Sequence, residues 1–195
     1  VESGRIRLDG IPKLVVEKYL QFMYEGDAEA ERSAPEGFVD STGSIDMSEF
    51  SAVGGDIRQF GDRRVTIDGV RLISQGSRNG VVYAGQACEI GVALSAHEDI
   101  ANPIVGFTVK DRLGREILGD NTKLIRKEIP SLSSGQRYVI TFRIDAWPNI
   151  IEGEYAITVA VADGTLNDHI QCHYLYDVVI LKSIPIRPPG AIFSV

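Results

Sequence analysis

Apolar and polar residues alternate with a period of two through most of the chain after residue 61, and that alternation predicts strands with one buried face each. In residues 105–122, Val105, Phe107 and Val109 alternate with Gly106, Thr108 and Lys110. Asp111-Arg112-Leu113-Gly114 then supplies turn chemistry, residues 115–118 form a short extended run, and Gly119-Asp120-Asn121 reads as a second turn. The stretch is a strand, a tight turn and a return. Earlier, Val65 and Ile67 and then Val70 and Leu72 change phase across Asp68-Gly69, which predicts a bulge. Residues 86–95 bury Cys88, Ile90, Val92 and Leu94, and residues 123–128 read as another short strand. Tyr138, Ile140, Phe142 and Ile144 share one side of 137–144, and Tyr155, Ile157, Val159 and Val161 one side of 154–162. The longest strand, 169–181, places Ile170, Cys172, Tyr174, Tyr176, Val178 and Ile180 inward on the same reasoning.

The start of the chain follows another rule. In residues 1–25, Ile11, Leu14, Val15, Leu20, Phe22 and Met23 fall mostly on one helical stripe, with Lys13, Glu17, Lys18 and Gln21 opposite and Pro12 in the first turn. Residues 26–61 are rich in glycine and acidic residues without a regular apolar repeat, and read as a linker with at most a short turn of structure. The expected organisation is therefore a helical segment (1–25), a linker (26–61) and a domain over 62–195. That domain is all-β, an immunoglobulin-like or jelly-roll β-sandwich of about seven or eight antiparallel strands.

Composition removes some function classes. A net charge of −7 over 195 residues argues against general affinity for nucleic acid or anionic lipid, which need a basic surface. There is no run of eighteen apolar residues and no signal-peptide pattern at the start. Cys88 and Cys172 fall at apolar strand positions. Two such cysteines can bridge the sheets of an immunoglobulin-like domain, but the lack of an export signal favours two reduced core thiols, and their spacing offers no zinc site.

The order of residues resembles the C-terminal domain of the ATP-binding subunit of bacterial O-antigen polysaccharide ABC transporters, the Wzt family. The likeness is carried by Gly106-Phe107, by Lys110-Asp111 with Gly114, and by Gly119 with Asn121-Thr122. Further along it is carried by Gly135 with Tyr138 and Phe142, Gly153 with Tyr155, Ala162-Asp163-Gly164, and Tyr176-Asp177. Gly10, Pro12, Val15 (or Val16) and Tyr19 also resemble the last helix of ABC-transporter ATPase domains, although a packing helix of the same domain accounts for them equally. No Gly-x-x-x-x-Gly-Lys-Ser/Thr phosphate loop occurs, so the chain looks like the C-terminal portion of such a subunit. The resemblance implies recognition of the O-polysaccharide, commonly at a modified non-reducing end, before export. It also implies a homodimer through the C-terminal strand, a membrane-spanning transporter subunit reached through the absent ATPase domain, and a cytoplasmic place at the inner face of the inner membrane.

Candidate chemistry follows from the outward faces. If 103–111, 154–162 and 169–181 share a sheet, as Greek-key pairing predicts, their outward residues are Ile104, Gly106, Thr108 and Lys110; Ala156, Thr158, Ala160 and Ala162; and His169, Gln171, His173, Leu175 and Asp177. A middle strand of small residues between hydrogen-bonding ones makes a shallow trough suited to a sugar chain. The expected carbohydrate-binding residues are Thr108, Lys110, Thr158, Ala160, His169, Gln171 and His173. The same features suit a solvated face or a dimerisation module without a sugar site. No cofactor is implied. His169 and His173, four residues apart on a strand and so about 13 Å apart, cannot grip one metal ion. No catalytic residues are assigned: Asp111, Glu116 and Asp120 lie around turns, where Asp serves as a turn former, and a glycan hydrolase is the remoter alternative. Trp147 is expected to plug one end of the sandwich, with stacking on a sugar as its other possible role.

Overall fold

The computed structural model describes residues 37–40, 45–54, 56–75, 78 and 80–194. The helix expected over 1–25 and the first part of the expected linker lie outside them. Numbered in chain order, Gly37–Asp40 (β1), Ser51–Ala52 (β2), Val65–Ser74 (β4), Cys88–Ala96 (β6) and Arg137–Ile144 (β9) form one antiparallel sheet in the order β1-β9-β6-β4-β2. Gln59–Phe60 (β3), Pro103–Asp111 (β7), Glu116–Asn121 (β8), Gly153–Gly164 (β11) and His169–Ile184 (β12) form the second, in the order β3-β12-β11-β7-β8. Val81–Tyr83 (β5) joins the end of β12 in parallel, while Asn149–Ile150 (β10) and Phe193–Ser194 (β13) make a separate ribbon. The domain is an all-β sandwich. Among the described residues, seven strands are six residues or longer, matching the seven or eight expected.

The inner faces meet in one core. Ile90, Val92, Leu94, Ile140 and Phe142 of the first sheet face Val105, Phe107, Val109, Ile157 and Val159 of the second. The Phe107 and Phe142 rings lie 5.0 Å apart across the gap. Trp147 is 1% exposed and its indole N–H donates to Ser183 Oγ at 2.9 Å, so it plugs the sandwich. Cys88 and Cys172 are buried free thiols, and desolvation pushes them up to about 12 and about 11. The bulge expected at Asp68-Gly69 is present as a register shift between Ile67 and Gly69.

Three features differ from the sequence reading. Residues 123–128 are not a strand. Asn121 Oδ1 accepts the N–H groups of Lys123 and Leu124, which turns the chain there, while Gly119 and Asp120, read as turn residues, belong to β8. Gly119 lies so close to β7 that an added Cβ would come within 2.9 Å of the Phe107 carbonyl. Secondly, β1, β2 and β3 fall within the stretch read as linker. Phe50 and its neighbours Ile45 and Met47 pack on Ala93 and Val139, on the outer face of the first sheet.

The third difference decides the site. Tyr174, Tyr176 and Ile180 do not face inward and Ile170 is exposed, while Val178, in the second bulge, is partly buried against the core. The core side of β12 is Cys172, His173, Leu175, Val179, Leu181 and Ser183. β12 has two bulges against β11, and the first causes this. Val161 pairs with His173 but Ala162 with Gln171, and Ile157 pairs with Val179 but Val159 with Leu175. The one extra residue of the first bulge exchanges the faces, whereas the two extra residues of the second restore the same phase.

Candidate functional site

The three strands expected to share a sheet do so, as β12-β11-β7. On the outer face, Ala160 lies between Gly106 and Tyr174, Thr158 is opposite Thr108, and Ala156 lies between Lys110 and Ile180. The floor is thus small residues and backbone, and one wall is aromatic. Tyr174 and Phe60 are paired across β12 and β3, with rings stacked 5.0 Å apart. The Tyr176 ring is 4.7 Å from that of Tyr174 and 6.1 Å from that of Phe60. The Arg58 guanidinium carbon lies 4.3 Å from the Tyr176 ring centre and Lys110 Nζ 5.5 Å from it. Phe60 is 47% exposed. Tyr174 and Tyr176 are half-buried, and rings grouped at the surface beside a floor of small residues and capped by cations present both flat apolar area and hydrogen-bond donors.

Phe60 reaches this wall because the chain before β4 is stitched to β12. Arg63 N–H donates to Cys172 O and Asp62 N–H to Gln171 O. Gly61 permits the close approach: its φ is +129°, and an added Cβ would lie 2.3 Å from Cys172 O. His173 completes the seam. It is 2% exposed, its Nδ1 accepts the Ile67 N–H at 2.8 Å, and its Nε2 meets Gln59 Oε1 at 2.9 Å and the Arg63 guanidinium. An acceptor Nδ1 means a neutral ring with the proton on Nε2. Burial, reinforced by the Arg63 charge, lowers its pKa to about 4.

Of the residues expected to contact a glycan, Thr108, Lys110 and Ala160 line this trough. Thr158 is on the same face but is 2% exposed, its hydroxyl engaged with Asp177. Gln171 spends its amide on Val161 O and His173 O, closing the first bulge. His169 stands at the hairpin end opposite Gly164, its ring near Thr165 O. His173 faces the core rather than outward, because the bulge beside it reverses the strand. Phe60, Tyr174 and Tyr176 were not among the expected contacts, and Asp177 was expected on the outward edge of the trough without being counted in the binding set. The available signal was that Leu175, Val179 and Leu181 make a second apolar alternation, out of phase with the first and interrupted by Asp177, a frequent bulge and turn residue.

Asp111 is a turn former: its carboxylate accepts the N–H groups of Leu113 and Arg115 and the Arg115 side chain. Those bonds outweigh desolvation and hold its pKa below the usual carboxylate value. Asp120 faces inward beside Phe107, where burial raises its pKa. Among the described residues no cluster of His, Cys, Asp and Glu is arranged to hold a metal, and no helix is long and apolar enough to cross a membrane.

The sandwich defines the class of fold, an all-β domain with a trough on one outer face, and comparison with known proteins specifies the family. The family model for the Wzt C-terminal domain matches residues 56–192, so the chain belongs to that family. The family consists of non-catalytic binding domains of an ABC transporter subunit, and at family level its role is carbohydrate binding in O-antigen export. A crystal structure of the C-terminal domain of Wzt superposes with a TM-score of 0.66 at 18% identity, covering 76% of this chain and 89% of that one, and shows the same fold. A CARDB domain from Pyrococcus furiosus matches more loosely (TM-score 0.36, 15% identity, 62% of this chain and 87% of that one). So does a Parabacteroides merdae β-glucuronidase (TM-score 0.34, 15% identity, 62% of this chain and 14% of that one). No curated protein matches the chain.

Proposed function

We propose that the outer face of the β3-β12-β11-β7-β8 sheet recognises the O-antigen polysaccharide for export, with the ligand lying over Gly106, Thr108, Ala156 and Ala160 against the Phe60–Tyr174–Tyr176 wall. The observation that carries this reading is the surface aromatic cluster, Phe60 exposed and Tyr174 and Tyr176 half-buried, beside a floor of small residues. Sugar rings offer apolar faces to aromatics and hydroxyls to polar side chains, and this surface has both complements. Lys110 supplies donors, while Thr158, Gln171 and His173 hold the strands that shape the trough.

The same reading includes selection of a modified non-reducing end, a homodimer through the C-terminal strand, and work at the cytoplasmic face of the inner membrane beside the membrane-spanning subunit. Two sites in a dimer raise avidity where the glycan offers two contacts. The test is calorimetric titration with O-polysaccharide from the chain's own source, native and stripped of its terminal cap, alongside an Ala160→Trp variant. Saturable binding of the native form, lost in the folded variant, supports the reading. A folded wild-type chain that binds neither form overturns it. A variant that loses assembly in light scattering, with glycan binding intact, makes this face a dimer surface instead.

A further inference from the structure

The reading of the outer face as a glycan site leads to a more specific one about Asp177. Asp177 has a φ of +51°, in the left-handed region that few residues other than glycine adopt and that Asp tolerates better than most. It lies in the second bulge of β12, opposite Thr158 and next to Tyr176. Thr158 holds it there: the Asp177 N–H donates to Thr158 Oγ1 at 3.2 Å, and that hydroxyl faces Asp177 Oδ1 at 3.4 Å. Thr158 is buried by this arrangement whereas Asp177 is exposed. Among the described residues, no ion pair engages the Asp177 carboxylate.

An ionised carboxylate only accepts hydrogen bonds. Beside three grouped rings, it is a receptor for hydroxyl donors on a ring whose apolar face lies on the aromatics. Charge narrows the class further. Lys110 already has Glu116 at 3.8 Å, so two carboxylates offset the two cations, Lys110 and Arg58, at Tyr176. This surface has no excess of positive charge with which to attract an acidic sugar. We propose that Asp177, positioned by Thr158, is the specificity-determining anchor of the trough, accepting hydrogen bonds from neighbouring hydroxyls of a neutral sugar and disfavouring acidic ones.

The experiment is an NMR titration of the isotope-labelled chain with methyl glucoside, methyl galactoside and glucuronate, using wild type, Asp177→Asn, Asp177→Gly and Thr158→Val. Asn keeps the size and the tolerance of a left-handed backbone, and Gly relieves it. We expect a neutral glycoside to shift amides around 156–160 and 174–178, with glucuronate about tenfold weaker. Each Asp177 variant should weaken the neutral ligand about tenfold, as expected for hydrogen bonds to a charged group, with thermal stability unchanged or raised in Asp177→Gly. Thr158→Val should weaken it too, in a folded chain. Wild-type affinity in both Asp177 variants overturns the anchor role while leaving the glycan site standing. Glucuronate bound as well as the neutral glycosides overturns the proposed class and points to Arg58 and Lys110. No shift on this face with any of the three sugars overturns this inference, while the glycan reading falls only if the polysaccharide titration is also negative.

Discussion

Phe60 and Tyr174 stack face to face, 5.0 Å between ring centres and 20° between planes, on strands that join residues before the first long strand to the longest strand of the domain. One ring comes from a stretch with linker-like composition, and the other from a position that alternation assigns to the core. The trough wall therefore exists only in the folded chain. Phe60→Ala should weaken glycan binding about tenfold, the scale of one aromatic contact. Because Phe60 is nearly half exposed, the unfolding midpoint should change little. Parallel calorimetry and thermal denaturation check this, and a large loss of stability with unchanged affinity would make the ring a structural element alone.

Phe50 anchors the other side of the sandwich. It is 8% exposed, packs with Ala93 and Val139, lies under the Arg71 guanidinium at 5.0 Å, and is so close to Gly69 that an added Cβ there would come within 2.8 Å of its own. Phe50→Ala should cost about 3 kcal/mol, the lower end of the range for a buried Phe because its cluster is small. Chemical denaturation measures it. A cost below about 1 kcal/mol would mean that residues 45–52 contribute little to the sandwich and that the fold effectively begins after them.

His173 gives stability a pH dependence. Its folded pKa, about 4, is below the unfolded value of 6.5, so between those pH values the unfolded chain binds a proton that the folded chain refuses. Its contribution is fully present above pH 6.5 and is lost as pH falls towards 4. Protonation at Nδ1 would also set two donors, His173 and the Ile67 N–H, against each other. Carboxylates titrate in part of this range too, so the measurement is a comparison of wild type with His173→Gln. The variant should be less stable at pH 7 and lose less stability between pH 6.5 and 4.5. Equal slopes for both proteins would remove His173 from the acid response.

Much of the fold was legible in the sequence because most strands bury one face and leave the other polar. Ile90, Val92 and Leu94 in β6, Tyr138 to Ile144 in β9, and Tyr155 to Val161 in β11 face the core as their alternation predicts. The bulge at Asp68-Gly69 was visible because the apolar phase changes across a turn dipeptide. The order of Gly, Asp and aromatic residues sufficed to suggest the family, because turn residues sit where backbone geometry restricts the choice. The site was less legible. Thr108, Lys110 and Ala160 follow from alternation along regular strands, but Phe60 depends on where the chain before β4 is stitched.

The sequence by itself determined the class of fold, the core of the regular strands and the family. The tertiary structure alone decided which face of β12 looks outward. Residues 170–181 carry two interleaved apolar alternations, Ile170 to Ile180 and Leu175 to Leu181, and neither is distinguishable as the core set without a partner strand. Pairing with β11 extrudes one residue at Cys172, which exchanges inside for outside, and two around Asp177, which leave the alternation in phase. His173 thereby enters the core, and Tyr174 and Tyr176 reach the surface that Phe60 completes. A side-chain period of two records direction only from one residue to the next, and the count across a bulge is set by hydrogen bonds to a neighbouring strand.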